Sequence, residues 1–161
     1  MKEFFRRFLG SSAPSYGELL PREAREIAAL HAASFQRGWS EDEIERLLVD
    51  RNVLAHRARI GGAVAGFIIS RIAADEAEIL SVAVARAQRG RGLAQALLRL
   101  HLGRLAGLGV RSVFLEVGED NEAACRLYER AGFEEVGRRE AYYEHGAAGN
   151  SAALVLRRDL A

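Results

Sequence analysis

The sequence predicts a single-domain α/β fold, and three observations support this prediction. The chain has 161 residues, a length typical of one domain. Segments with helical periodicity and short apolar segments typical of strands follow one another as helices, three strands, helix, strand, helix and two strands. The sequence contains no internal repeat and no second-domain boundary. We therefore expect one domain over residues 18–161, preceded by an N-terminal extension and linker over residues 1–17.

The composition excludes several classes of protein. Hydrophobic residues make up 49% of the chain and charged residues 28%, which is ordinary for a globular protein and unlike a disordered chain. No apolar run approaches the ~20 residues that span a bilayer. The 23 basic and 22 acidic residues give a net charge of +1, so no global field draws the chain to nucleic acid or anionic lipid. We expect no nucleic-acid partner and no stable membrane association.

Rare residue types restrict the compartment and the chemistry. Cys125 is the only cysteine, which forbids an internal disulfide and fits a reducing, cytoplasmic compartment. Lys2 is the only lysine and lies at the N-terminus. Schiff-base chemistry and the P-loop both need an interior lysine amine and are therefore disfavoured. The four histidines do not have the spacing of metal ligands, so no metal is expected.

The N-terminal third predicts a linker followed by two helices. Residues 10–17 are rich in Ser, Ala, Pro and Gly, which is typical of a linker. Pro21 suits the first position of a helix, and apolar residues then recur on one helical face as far as Phe35. Ser40 and Glu43 form a capping box at the start of the second helix.

The remaining elements follow from periodicity and turn signals. Gly61-Gly62 suits a tight hairpin turn between two strands. Asn121 is a good N-cap, and Gly132 is a natural left-handed helix stop. The predicted elements are strands over 53–60, 63–71 and 76–85, a helix over 93–108, a strand over 111–117, a helix from Asn121 to Ala131, and strands over 133–141 and 151–159.

A basic, glycine-rich segment over residues 89–94 lies between the third strand and the long helix. Small residues allow close approach of a ligand to the backbone, and the N–H groups at a helix start attract phosphate. The P-loop pattern is absent, and Gln95 replaces the third glycine of the dinucleotide fingerprint. The pattern R/Q-x-x-G-x-G/A is matched by Arg89, Gly92 and Ala94. A basic exposed turn that binds nothing remains the alternative interpretation of this segment alone.

Further motifs accompany this segment. They are Gly38-Trp39-Ser40, the run from Ala77 to Val84, Leu115-Glu116-Val117, Asn121 with Ala123-Ala124, Leu127-Tyr128-Glu129 with Gly132-Phe133, and Tyr142-Tyr143. With them, residues 21–158 resemble the GNAT superfamily of acetyl-CoA-dependent N-acetyltransferases, and most closely its ribosomal-protein-alanine N-acetyltransferase (RimI-like) branch. Gly38 stands where that branch often has proline, which predicts a looser loop before the second helix.

The resemblance implies a GNAT-type fold, a central mixed and mostly antiparallel sheet flanked by helices, with acetyl-CoA as cosubstrate. It also implies that Asn121 contacts the cofactor and that the edge of the third strand binds the pantetheine and the acetyl carbonyl through Val82, Ala83 and Val84. By the same resemblance, the CoA pyrophosphate is held by the backbone amides of Arg89, Gly90, Arg91, Gly92, Leu93 and Ala94.

The resemblance also implies the catalytic roles. Glu116 resembles the family's general base, acting directly or through water, and Tyr128 resembles the acid that protonates the departing thiolate. Tyr142 and Tyr143, together with Trp39, are expected to line the peptide entrance. Glu78 is a candidate to receive a cationic end of the substrate.

Amine chemistry favours a protein N-terminus as acceptor. A free α-amino group has a pKa of ~7.7–8.0 and is about a tenth neutral at pH 7, whereas a lysine amine near 10.4 is overwhelmingly charged. A single carboxylate therefore serves an α-amine better than a lysine. We expect direct attack by the N-terminal amine of a protein, such as the alanine of a ribosomal protein. The alternatives are a small amine or a lysine as acceptor, or a non-catalytic acyl-CoA-binding module. Such a module would not need Tyr128 as an acid.

Overall fold

The computed structural model describes residues 13–140 and 152–160, and its elements follow the predicted order with one strand added at the start. Short 3-10 turns lie at Pro21–Glu23 and Arg86–Gln88. The helices are α1 (Ala24–Ser34), α2 (Glu41–Val49), α3 (Leu93–Gly107) and α4 (Glu122–Arg130). The strands are β1 (Ser15–Glu18), β2 (Val53–Ile60), β3 (Ala63–Ala73), β4 (Glu76–Val84), β5 (Ser112–Gly118), β6 (Glu134–Arg139) and β7 (Ala153–Asp159).

All the described strands form one mixed sheet. Its order is β1-β2-β3-β4-β5-β7-β6. Every neighbouring pair is antiparallel except β4 and β5, which run parallel because α3 connects them as a crossover. The prediction of a central mixed, mostly antiparallel sheet flanked by helices is confirmed.

The additional strand corrects the predicted linker. Residues 15–17 were expected to be linker, but Ser15–Glu18 pairs antiparallel with β2, from Ser15 opposite Arg59 to Glu18 opposite His56. This is a four-residue edge strand with a glycine in its middle. Such a strand needs only one pairing partner and buries little apolar surface, so it leaves no periodic signal in the sequence.

Helices cover both faces of the sheet. On the first face, here called the α1/α2 face, Ile27 and Ile44 pack against sheet residues that include Phe67 and Ile69. On the second, the α3/α4 face, Leu97 and Leu105 of α3 and Tyr128 of α4 pack with sheet residues such as Ile68 and Val113. The sheet is thus the middle layer of three. None of the helices in the described ranges is long and apolar enough to cross a bilayer.

The local signals that set element boundaries are confirmed. Gly61 and Gly62 have φ angles of 58° and 84°, the left-handed conformations that a tight hairpin requires. The Ser40 hydroxyl accepts from the Glu43 N–H at 3.1 Å, and the Glu43 carboxylate accepts from the Ser40 N–H at 2.7 Å. Gly132 ends α4 with a φ of 85°. The helix predicted to begin at Pro21 starts as a 3-10 turn and becomes α-helical at Ala24.

Candidate active site

The sheet opens between β4 and β5, and this opening organises the site. The two strands pair only from Glu76 to Glu78 on β4 and from Ser112 to Phe114 on β5. Among the described strands, β4 pairs only with β3 beyond Glu78, and β5 pairs only with β7 beyond Phe114. The two strands therefore diverge toward their C-terminal ends and leave a gap in the middle of the sheet.

The end of β4 presents backbone groups to this gap. The Ala85 N–H donates to the Ala65 carbonyl of β3 at 2.8 Å. Because backbone groups alternate in direction along a strand, those of Val82 and Val84 point away from β3 and toward the gap. The Val84 carbonyl accepts a hydrogen bond from Arg89 Nε at 3.1 Å, which agrees with this direction. A register shift near Leu80 gives β4 a bulge just before this segment.

The turn at residues 89–94 exposes helix-start amides beside the gap. Gly90 and Gly92 have φ angles of 79° and 78°, which residues with a side chain rarely adopt. The first helical bond runs from the Ala96 N–H to the Gly92 carbonyl at 3.0 Å. The N–H groups of residues 93–95 precede this bond and have no acceptor within the helix. They supply donors at the positive end of the α3 dipole, where phosphate binds well.

The arginines of this turn make local contacts. Arg89 is bonded to the β4 carbonyl described above, and Arg91 Nη1 donates to the Gln88 side chain at 3.0 Å. Arg89 still lines the cavity, whereas Arg91 is not among its lining residues. Along the cavity this turn therefore presents its helix-start amides and Arg89.

One cavity of about 580 Å³ joins most of the predicted cofactor residues. It reaches from the end of α1 across the β4 edge to the start of α3 and along α4. The predicted residues that line it are Val82, Ala83, Val84, Arg89, Gly90, Gly92, Leu93, Ala94, Asn121 and Tyr128. Asn121 also caps α4, since its Oδ1 accepts from the Ala124 N–H at 3.2 Å.

Tyr128 lies deep in this cavity. Its side chain is 7% exposed and packs edge-on against Phe133, with 5.6 Å between ring centroids. Burial raises the pKa of the phenol to about 12, because the phenolate would lose its hydration. Within residues 13–140 and 152–160 the hydroxyl has no hydrogen-bond partner. The phenol is therefore protonated and lines the cavity, and no residue in the described ranges accepts a hydrogen bond from it.

Glu116 lies on the other face of the sheet. Val113, Leu115 and Val117 of β5 are buried in the α3/α4 core, so the alternating Glu116 projects from the α1/α2 face. Its side chain is 42% exposed, and its Oε2 accepts from Arg139 Nη2 at 2.7 Å. Glu116 does not line the cavity that contains Tyr128. The two predicted catalytic residues thus lie on opposite faces of the sheet. Tyr128 lines the cavity beside the gap, and Glu116 lies on β5, which borders the gap.

The residues predicted to bind the acceptor lie in different parts of the molecule. Trp39 is half-buried in the loop between α1 and α2 and lines a hollow of about 440 Å³ together with Leu80 of β4. Glu78 is exposed on β4, opposite Arg71 of β3. Tyr142 and Tyr143 lie outside the described residues. The described residues contain no cluster of three or more His, Cys, Asp or Glu side chains that could hold a metal ion.

The sequence reasoning missed nine residues of the cavity wall, and four of them come from the end of α1 and from charged positions of α4. Ser34 and Phe35 close it from the end of α1, and Arg126 and Arg130 line it from α4. The two arginines are four positions apart and therefore lie on the same face of α4. This spacing could have indicated a basic wall from the sequence. Ser34 and Phe35 gave no signal, since their contact depends on how α1 packs across the sheet.

Comparison with known proteins identifies the family. Residues 20–133, more than half of the chain, match the acetyltransferase (GNAT) family. The chain belongs to this family. N-alpha-acetyltransferase RimI of Mycobacterium tuberculosis is 36% identical over 149 residues, which cover 89% of this chain and 90% of that protein. The ribosomal protein bS18-alanine N-acetyltransferase of Haemophilus influenzae is 36% identical over 91 residues, which cover 56% of this chain and 62% of that protein.

A solved structure extends the likeness to the whole fold. The crystal structure of the ribosomal-protein-alanine N-acetyltransferase of Escherichia coli has a TM-score of 0.84 at 26% identity, covering 92% of this chain and 94% of that one. The chain is therefore an enzyme of the N-acetyltransferase class with a GNAT fold, and its acyl donor is acetyl-CoA. The chemistry of the cavity fits this donor, since helix-start amides suit a diphosphate and an unpaired β4 edge suits an amide-containing arm.

Proposed function

We propose that this GNAT enzyme transfers an acetyl group from acetyl-CoA to the α-amine of a protein N-terminus in the cytoplasm, with the alanine of a ribosomal protein as the favoured acceptor. The observation that carries the proposal is the single cavity that combines the β4 edge, the 89–94 turn and the Tyr128 hydroxyl. The named activities of the relatives from M. tuberculosis and H. influenzae support the choice of acceptor.

The binding roles follow from the chemistry of each wall. The amides of residues 89–94 hold the diphosphate, and the Arg126 and Arg130 side chains on α4 add positive charge along the same cavity. The backbone of Val82 and Val84 pairs with the amide groups of the pantetheine, as an added strand would. Acetyl-CoA supplies an activated acyl group as a thioester. The enzyme's contribution is to fix this group beside the gap, where an amine can approach from the α1/α2 face.

Tyr128 acts as the acid. As the acceptor nitrogen bonds to the carbonyl carbon and the carbon–sulfur bond breaks, negative charge develops on sulfur. The buried phenol donates its hydrogen to that sulfur, and a hydrogen bond from a buried donor is stronger than the same bond in water. Its raised pKa keeps the hydroxyl protonated before the reaction at every physiological pH.

Glu116 acts as the base on the acceptor side of the sheet. It takes a proton from the acceptor nitrogen, either before attack, when the acceptor arrives as an ammonium, or as the neutral amine bonds to the carbonyl carbon, directly or through one water molecule. The ion pair with Arg139 uses Oε2 and leaves Oε1 outside that contact. Since a free α-amine is already partly neutral near pH 7 and a lysine amine is not, this arrangement favours an N-terminal acceptor.

A peptide assay tests the proposal. The substrate is a peptide with a free N-terminal alanine and one internal lysine, and the matched control is the same peptide with its α-amine blocked. We expect release of CoA thiol and addition of one acetyl group to the first peptide, with the acetyl on the α-nitrogen by tandem mass spectrometry, and no turnover of the second. Acetylation of the lysine in both peptides would favour a lysine acceptor. CoA binding with no thiol release for any amine would favour a binding module.

A further inference from the structure

His31 is a buried histidine outside the catalytic and cofactor-binding groups discussed above. It lies on α1 with 4% of its surface exposed. Its ring faces the loop over residues 35–40, which joins α1 to α2 and contains Trp39.

His31 makes both a hydrogen bond and ring contacts with this loop. Its Nδ1 accepts from the Trp39 backbone N–H at 3.0 Å. The imidazole stacks on the Trp39 indole with 4.4 Å between centroids and 16° between planes, and it contacts the Phe35 ring at 4.5 Å. On its inner side it lies over Phe67 of the sheet at 6.2 Å. One imidazole therefore connects both ends of the loop to the core.

Other contacts make this loop compact. A Cβ on Gly38 would lie 3.0 Å from Cα and Cβ of Ala32, so the backbone packs against α1 more closely than a larger residue allows. The Ser40–Glu43 capping box fixes the next residue after Trp39. Glycine at position 38 allows the close packing that His31 completes, and the looseness of this loop relative to one with proline stays a prediction.

The loop supplies walls to two hollows. Phe35 lines the cofactor cavity beside the β4 edge. Trp39 lines the neighbouring hollow on the α1/α2 face together with Leu80 and Arg71. Leu80 is the bulge residue of β4, two positions before Val82. Trp39 thus lies on the face from which Glu116 projects, close along β4 to the proposed site of transfer.

We propose that His31 is a positioning residue for the acceptor, because in its neutral form it fixes the 35–40 loop so that Trp39 forms a wall of the acceptor-binding site. This inference rests on the proposed function. His31 itself touches neither the acceptor nor the reacting atoms. Its effect passes through the Trp39 backbone and ring.

The contact requires the neutral imidazole. Nδ1 can accept the Trp39 N–H only while it carries no proton, so protonation would place two donors against each other. Glu43 on α2 is the charged group whose field reaches the ring and favours protonation, but burial outweighs it and lowers the pKa of His31. Phe67, from the sheet, presents only an apolar ring.

Two variants test the role by kinetics. His31→Phe keeps an aromatic ring and removes the acceptor, and His31→Asn restores an acceptor near Nδ1. We expect His31→Phe to raise KM for the alanine peptide about tenfold, the effect of losing one buried hydrogen bond, with the Kd for acetyl-CoA measured by calorimetry changed less than threefold. His31→Asn should recover part of this loss. Val110→Ala, in the core of the opposite face, is the control that loses stability and leaves both constants unchanged.

Trp39 fluorescence gives a readout that does not depend on turnover. Trp39 is the only tryptophan, and a protonated imidazole stacked on an indole quenches its emission. We expect acid quenching in the wild type that is absent in His31→Phe, and a change in emission when the alanine peptide binds. An unchanged peptide KM in His31→Phe, or no emission change with peptide, would overturn the inference while acetylation by the wild type still supported the proposed function. If the wild type acetylated no N-terminus, the proposed function itself would fail.

Discussion

Glu116 and Arg139 are joined across the intervening strand β7 by an ion pair with 2.7 Å between Oε2 and Nη2. Glu116 lies in the middle of β5, and Arg139 is the last residue of β6. The pair lies on the α1/α2 face of the sheet, and β5, which carries Glu116, itself borders the gap. The carboxylate thus lies, paired with an exposed guanidinium, on the side from which we propose that the acceptor approaches.

Glu116→Gln should therefore remove proton transfer without disturbing the fold. We expect kcat for the alanine peptide to fall about 10²–10⁴-fold, the usual contribution of a general base. The Kd for acetyl-CoA, measured by calorimetry, should stay within twofold, since Glu116 does not line the cofactor cavity.

Arg139→Gln is the matched control for this prediction. It removes the partner of the carboxylate and keeps the carboxylate itself, so its loss of kcat should be at least tenfold smaller. Equal losses in the two variants would show that the ion pair matters and that Glu116 is not the base.

Tyr128→Phe should reduce kcat and leave acetyl-CoA binding nearly unchanged. The ring still packs against Phe133, and only the unpartnered hydroxyl is lost. We expect a decrease of about 10²-fold or more in single-turnover experiments, because the departing sulfur loses its proton donor. A rate equal to that of the wild type would remove Tyr128 from the mechanism.

Gly92→Ala should weaken acetyl-CoA binding and destabilise the fold. Gly92 has a φ of 78° and precedes the exposed amides of α3, and a side chain in this conformation costs about 1–2 kcal/mol. Gly103→Ala is the control, since Gly103 lies inside α3 with no atom within 4 Å of the added Cβ. The control should be up to about 1 kcal/mol more stable and bind normally. Calorimetry and urea unfolding measure both effects, and normal binding by Gly92→Ala would contradict the role of the turn.

Acid should destabilise the protein through its buried histidines. His56 and His101 share a 2.8 Å contact between their Nδ1 atoms, and burial lowers the pKa of His101 to about 3. Below about pH 6.5 the unfolded chain binds protons that the folded protein excludes, so stability is lost as the pH falls from 6.5 toward 3. Each such histidine contributes up to about 1.36 kcal/mol per pH unit. Urea midpoints between pH 8 and pH 4 measure the slope, and a flat profile below pH 6.5 would contradict the burial of the pair.

Local sequence signals predicted most of the fold. Caps and turns such as Ser40, Asn121 and Gly132 act through a few neighbouring atoms, and the structure confirms them. The strand Ser15–Glu18 was missed because its stability comes from pairing with β2, 38 or more residues away in the sequence. Long-range pairing of a short polar strand is invisible to periodicity.

The site was predictable where it depends on backbone and short motifs. Gly90 and Gly92 indicate a turn with left-handed φ angles, and both residues line the cavity; their role in holding the pyrophosphate stays a prediction. The direction of Glu116 relative to Tyr128 was not predictable, because it depends on which face of β5 is buried and on where α4 packs. His31 gave only the signal of a buried helical position, since its partner is a backbone N–H eight residues away.

N-terminal acetylation by this enzyme can be tested on a bacterial protein extract incubated with it and isotopically labelled acetyl-CoA, with the products read by mass spectrometry. We expect label on the α-nitrogen of protein N-termini, with alanine foremost and a ribosomal protein among the products, and at least about a hundredfold slower labelling with the Glu116→Gln variant. Label confined to lysine side chains or small amines would contradict the account, as would an extract with no label at all.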